Sequence, residues 1–105
     1  MQGIYVKFYV TEKQRHHSQL LSEWILEKAK QLGLPGGSVF RAIAGFGKHG
    51  HLHSELFFEL GGELPVQVEF VVTAAQAEAL LAAINAEKLQ LTYVSYAVEF
   101  GVTGN

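Results

Sequence analysis

Cysteine and aspartate are both missing from the 105 residues. Without cysteine there is no disulfide, no thiolate metal site and no thiol nucleophile, and a reducing, cytoplasmic setting is expected. Without aspartate or cysteine, nucleophilic catalysis would fall to Ser18 or Ser54 with a histidine and a glutamate to orient it. Ser54 does stand between His53 and Glu55, but neighbours on a strand point to opposite faces and cannot form that relay. A non-enzymatic protein is therefore expected. Arginine is restricted to Arg15 and Arg41, which limits bidentate phosphate clamps to those two positions. Charged residues make up only 17% and the formal net charge is −2, which gives no general pull towards nucleic acid or an anionic membrane. No window of the sequence approaches a membrane span. Met1 to Val10 alternates in polarity and carries Lys7, unlike the unbroken apolar core of a signal peptide.

What is abundant is apolar surface. Hydrophobic residues reach 49% in a chain with room for one domain, 1–105, so association with further copies is expected to cover the excess. Ile4, Val6, Phe8 and Val10 alternate with Tyr5, Lys7 and Tyr9, a strand with an apolar set on each face. After a polar stretch from Thr11 to Ser18, the residues Leu21, Trp24, Ile25, Ala29 and Leu32 share one helix face, and Gly33 caps the helix before Pro35 and Gly36. Ser38 to Phe46 reads as a second strand, with Ala42 and Ala44 small enough for a helix to approach and Val39, Arg41 and Ile43 on its other face. A long glycine-punctuated excursion follows, read as a hairpin extension. Pro65 opens a third strand in which Val66, Val68, Phe70 and Val72 alternate with Gln67, Glu69 and Val71. Thr73 caps a second helix whose stripe is Ala77, Leu80, Leu81 and Ile84. A last strand runs from about Gln90 to Phe100. The order βαββαβ predicts an α+β, ferredoxin-like fold, one antiparallel sheet with both helices on one face. The uncovered face, offering Tyr, Val and Ile, is expected to meet another subunit.

Four features carry chemistry. Gly45-Phe46-Gly47-Lys48 sits where the second strand ends, where glycines let backbone amides approach a ligand and a lysine suits phosphate; a tight turn with a solvated lysine is the plainer reading. His49, His51 and His53 would share one face of an extended segment, a geometry for zinc or copper, and His16-His17 could join only across a subunit boundary or by folding back. Arg41, in a largely apolar strand, needs a partner: Glu69 on the third strand or a ligand. Arg15, with Lys13, is either a solvated charge or a phosphate contact. A third use of βαββαβ, RNA recognition with Tyr5, Tyr9 and Tyr93 as stacking platforms, lacks its family's sequence motifs and suits an acidic chain poorly.

With that order and glycine turn in place, the chain resembles the PII-like proteins, most closely the family named domain of unknown function 190. The resemblance runs through LLSEWILEKAKQLGLPGGSVFRAIAGFGKHG, the loop with His53, and LPVQVEFV. It implies a homotrimer of ferredoxin-like subunits with a T-loop-like excursion at about 47–64 and effector sites in the clefts between neighbours. Gly45, Phe46, Gly47 and Lys48 then fall at the base of that loop, in the nucleotide cleft with Arg41 and Arg15. Ala86 to Gln90 lacks the glycine- and lysine-rich loop that grips the ATP phosphates in PII proteins, and no arginine follows Arg41. A small adenine nucleotide, AMP or ADP, is thus the implied effector rather than a required cofactor. The stretch His51 to Glu63 has no tyrosine to accept a uridylyl group. The resemblance further implies signalling to a protein target, such as a membrane transporter or an enzyme, with no role for nucleic acid. The alternative is a trimer of the CutA type, binding a divalent metal through His49, His51 and His53.

Overall fold

Polarity alternating every second residue builds β1 (Gln2–Thr11), which lies at the centre of the structure with a partner on each side. The structure is a computed structural model describing residues 1–46, 52–54 and 64–104. Two two-residue strands follow, β2 (Arg15–His16) and β3 (Gln19–Leu20), then α1 (Leu21–Gln31), β4 (Ser38–Arg41), β5 (Ala44–Phe46) and β6 (Leu52–Ser54). The chain continues through β7 (Pro65–Val72), α2 (Ala74–Ala86) and β8 (Thr92–Glu99). The main sheet has the order β4-β7-β1-β8, antiparallel throughout, and β5 pairs with β6 in a separate ladder. This is the ferredoxin-like arrangement expected from the element order.

Caps legible in the sequence mark the end of α1 and the start of α2. Leu32 closes α1, and Gly33, at φ +83°, turns the chain in the left-handed region that favours glycine. The Gly33 amide then donates to the Lys30 carbonyl and the Leu34 amide to the Ala29 carbonyl, the two bonds of a Schellman motif. At the start of α2 the Thr73 hydroxyl accepts from the Gln76 amide at 3.2 Å while the Thr73 amide donates to the Gln76 side chain at 2.9 Å. This reciprocal capping box satisfies two amides that the first helical turn leaves over.

One face of the sheet is buried under these helices. Val6, Phe8 and Val10 of β1 and Val66, Val68, Phe70 and Val72 of β7 pack with Leu21, Trp24, Ile25 and Ala29 of α1 and Ala77, Leu80 and Ile84 of α2. Phe8 and Phe70 meet edge to face at 6.4 Å. Each such large side chain contributes about 1.5–3 kcal/mol on burial. The opposite face carries Tyr5, Lys7 and Tyr9, which pair in register with Val71, Glu69 and Gln67 of β7 and with Tyr96, Val94 and Thr92 of β8. Phe40, Val71, Val94 and Tyr96 are exposed there.

Register corrects four expectations. Ser38 to Phe46 is not one strand: β4 ends at Arg41, where the Ala42 amide turns to the Pro65 carbonyl at 3.0 Å, and β5 begins a different ladder. The face of β4 turned towards the helices is that of Val39 and Arg41, opposite the buried Val68 and Val66, not a face of small alanines. Glu69 lies opposite Ser38 and so on the other face from Arg41, which excludes their ion pair. Glu69 instead accepts the Tyr5 hydroxyl. Tyr93 pairs with Phe8 on the helix side, so it cannot form one stacking platform with Tyr5 and Tyr9.

Candidate functional site

One end of the sheet gathers several of the residues singled out in the sequence. There β1 runs out at Thr11, β4 runs out at Arg41, and β7 begins at Pro65. The Glu12 amide donates to the Leu64 carbonyl at 2.9 Å, tying the end of β1 to the start of β7. Arg41 meets Glu12 through Nη1 at 3.4 Å, and both side chains are partly exposed, so Coulomb attraction there is screened. The ion pair thus replaces the expected partner Glu69 with a residue from the strand end. Gly45 is close to the same place: a Cβ built on it would lie 3.8 Å from Pro65 Cγ.

Gly45 and Phe46 are in β5, where Gly45 opposes His53 and Phe46 opposes Leu52 of β6. Residues 44–46 are thus paired with 52–54, in keeping with a hairpin extension. His53 is placed by its backbone alone. Gly47, Lys48, His49 and His51 lie outside the described residues, and with them the candidate lysine and two members of the histidine triplet.

Arg15 belongs to a second structure at the start of α1. β2 and β3 form a tight hairpin with His17 and Ser18 as its two loop residues. Their φ values of 51° and 66° have the signs required by a two-residue type I′ turn. Such turns favour Asn and Gly, and each ordinary side chain held there costs about 1–2 kcal/mol. Arg15 Nη2 donates to the Ser18 carbonyl at 2.7 Å and so braces the turn. The turn brings two consecutive imidazoles, which a straight strand would send to opposite faces, to a ring separation of 4.1 Å.

Both rings converge on Glu87, the residue that caps the far end of α2. Nε2 of His16 is 2.9 Å and Nε2 of His17 2.7 Å from Glu87 Oε1, each imidazole donating to the carboxylate. The His17 hydrogen bond first, and the His16 bond second, hold the Glu87 carboxyl below its ordinary range. Trp24 meets the His16 ring edge-on at 4.9 Å and Lys28 Nζ stands 5.7 Å from the indole centroid. His16 and His17 thus meet a carboxylate of α2, while the histidine set they were expected to join lies largely outside the described residues. Glu87 was missed by sequence reasoning. Its signal was a carboxylate at the negative end of a helix whose last turn has no basic residue.

A shallow hollow of 520 Å³ lies elsewhere, between the α1–β4 connection and the open sheet face, lined by Tyr5, Gly37, Phe40 and Glu69 among others. Arg15, Arg41 and Gly45 do not line it.

The fold is that of PII-like proteins. It superposes on CPII, a nitrogen regulatory PII-like protein from Thiomonas intermedia K12 solved with ADP, AMP and bicarbonate, with a TM-score of 0.71 at 12% identity, over 97% of this chain and 91% of that one. It also matches a putative PII-like signaling protein from Thermus thermophilus with a TM-score of 0.61 at 17% identity, over 93% of this chain and 87% of that one. The chain belongs to the DUF190 family (Uncharacterized ACR, COG1993), whose model matches residues 3–98. Among curated relatives, a UPF0166 protein of Aquifex aeolicus (strain VF5) is 36% identical over 66 residues, a match spanning 63% of this chain and 63% of the relative's length. No described helix is long and apolar enough to cross a membrane.

Proposed function

We propose that this protein is a PII-like regulatory protein that binds a small adenine nucleotide, AMP or ADP, in clefts between the subunits of a homotrimer and passes the signal to a protein target. The observation that carries the reading is the meeting of Arg41, Gly45 and the roots of the 47–64 excursion at one end of the sheet. A guanidinium is the strongest phosphate donor available in a chain with only two arginines. Backbone near a glycine admits a ligand without a side chain in the way. The ADP and AMP named with the CPII structure lend support from a protein of the same fold. Phe46, Gly47, Lys48 and Arg15 are proposed as further contacts. A second subunit would close the cleft, using the open sheet face with its exposed Phe40, Val71, Val94 and Tyr96.

Isothermal calorimetry with AMP, ADP and ATP on the purified protein tests the reading. Saturable binding of AMP or ADP, with ATP weaker, is expected. An intact trimer that binds none of the three overturns it.

A further inference from the structure

We propose that His16, His17 and Glu87 form a divalent-cation site suited to Zn²⁺, separate from the histidines of the excursion and independent of nucleotide. Two imidazoles and one carboxylate are a ligand set that zinc takes in sites with three protein donors and a fourth position open to water or another ligand. The three donor atoms lie within 4.8 Å of one another, and both Nε2 atoms aim at the same carboxylate oxygen. Ligands about 2.0–2.2 Å from a tetrahedral zinc ion stand roughly 3.3–3.6 Å apart. The 2.9 and 2.7 Å separations to Glu87 must open and the widest donor separation, up to 4.8 Å, must close, which rotation of the 64% exposed His17 side chain allows.

The surroundings favour a cation. Glu87 stands at the negative end of α2, whose last turn contributes no Lys or Arg. A divalent ion held by the three side chains would place its charge at that helix end. The site is also built rather than casual. The turn residues His17 and Ser18 hold positive φ, Arg15 braces the turn, and the Trp24 ring stands perpendicular to the His16 ring at 4.9 Å. These contacts restrict where the two imidazoles can point. The exposure of His17 leaves the fourth position towards solvent, so the ion is exchangeable, as in a sensing or loading site.

Trp24 is the single tryptophan and lies 4.9 Å from His16, so its emission reports on this site. Zn²⁺ is titrated into the full chain without nucleotide, followed by calorimetry and by Trp24 fluorescence. Wild type is expected to bind one Zn²⁺ per chain at this site with a saturable change in emission. His17→Gln and Glu87→Gln are each expected to weaken that change about ten-fold or more, while a His49→Gln, His51→Gln, His53→Gln triple variant retains it. The proposal is overturned if wild type shows no change at millimolar Zn²⁺, if His17→Gln leaves the titration unaltered, or if only the triple variant abolishes it. His17 is exposed, so its variant keeps the fold, checked by circular dichroism, and decides the matter even if Glu87→Gln does not fold.

Discussion

The rings of Tyr5 and Tyr96 stack at 4.9 Å with an interplanar angle of 25°, joining β1 to β8 on the sheet face that the helices leave uncovered. Around this pair Val71, Val94 and Phe40 are exposed, and Lys7 lies 5.9 Å from the Tyr5 ring and 5.6 Å from the Tyr9 ring. Such a face is costly to leave in water and worth about 25 cal/mol per Å² of apolar area when covered. A charge placed there would be desolvated by any partner subunit. Val71→Glu is therefore expected to dissociate the proposed homotrimer into folded monomers by sedimentation velocity. An unchanged mass would remove this face from the interface.

Core packing gives a second expectation. Phe8 is 1% exposed and its ring meets Phe70 edge to face. Phe8→Ala is expected to destabilise the fold by about 3–5 kcal/mol in chemical denaturation. Gly37 is a position where size alone matters, since a Cβ there would come within 2.4 Å of the Phe70 ring. Gly37→Ala should cost about 1–3 kcal/mol through overpacking. A loss below half a kcal/mol for either would contradict the packing described.

Removing the α2 cap isolates a local term. Thr73→Ala deletes the hydroxyl that accepts the Gln76 amide and is expected to lower stability by about 1 kcal/mol, leaving assembly and ligand binding intact. Serine at the same position should restore most of the loss.

Arg41 separates a ligand-binding role from a structural one. Its pair with Glu12 is partly exposed, so Arg41→Ala is expected to change stability by less than about 1 kcal/mol. A lost charge-assisted bond to phosphate, worth about 1.5–3 kcal/mol, corresponds to roughly 10–100-fold weaker AMP or ADP binding. Unchanged affinity with lowered stability would make Arg41 structural.

Period-two and helical patterns made the sheet and both helices legible, because Val6, Phe8, Val68 and Phe70 each mark one face unambiguously. Gly33 and Thr73 announced their helix ends for the same local reason. The pairing of Arg41 was not legible. It turns on face parity across β4 and β7, and on where β4 stops, both of which depend on a tertiary bond from Ala42 to Pro65. The hairpin of β2 and β3 escaped notice because strands of two residues carry no periodicity, and the polar run from Thr11 to Ser18 reads as loop. His17 and Glu87 are 70 residues apart, and only the folded helix layer brings them together. Leu32 continued the apolar stripe of α1 but is exposed, since the helix ends before that position can turn inward.

The most direct measurement is a crystal structure of the protein grown with saturating ADP. Nucleotide density in a cleft between neighbouring subunits, with phosphate within hydrogen-bond reach of Arg41 and the backbone near Gly45, is expected. A trimer whose clefts hold no ADP at saturation, or ADP bound away from this end of the sheet, would contradict the proposed function.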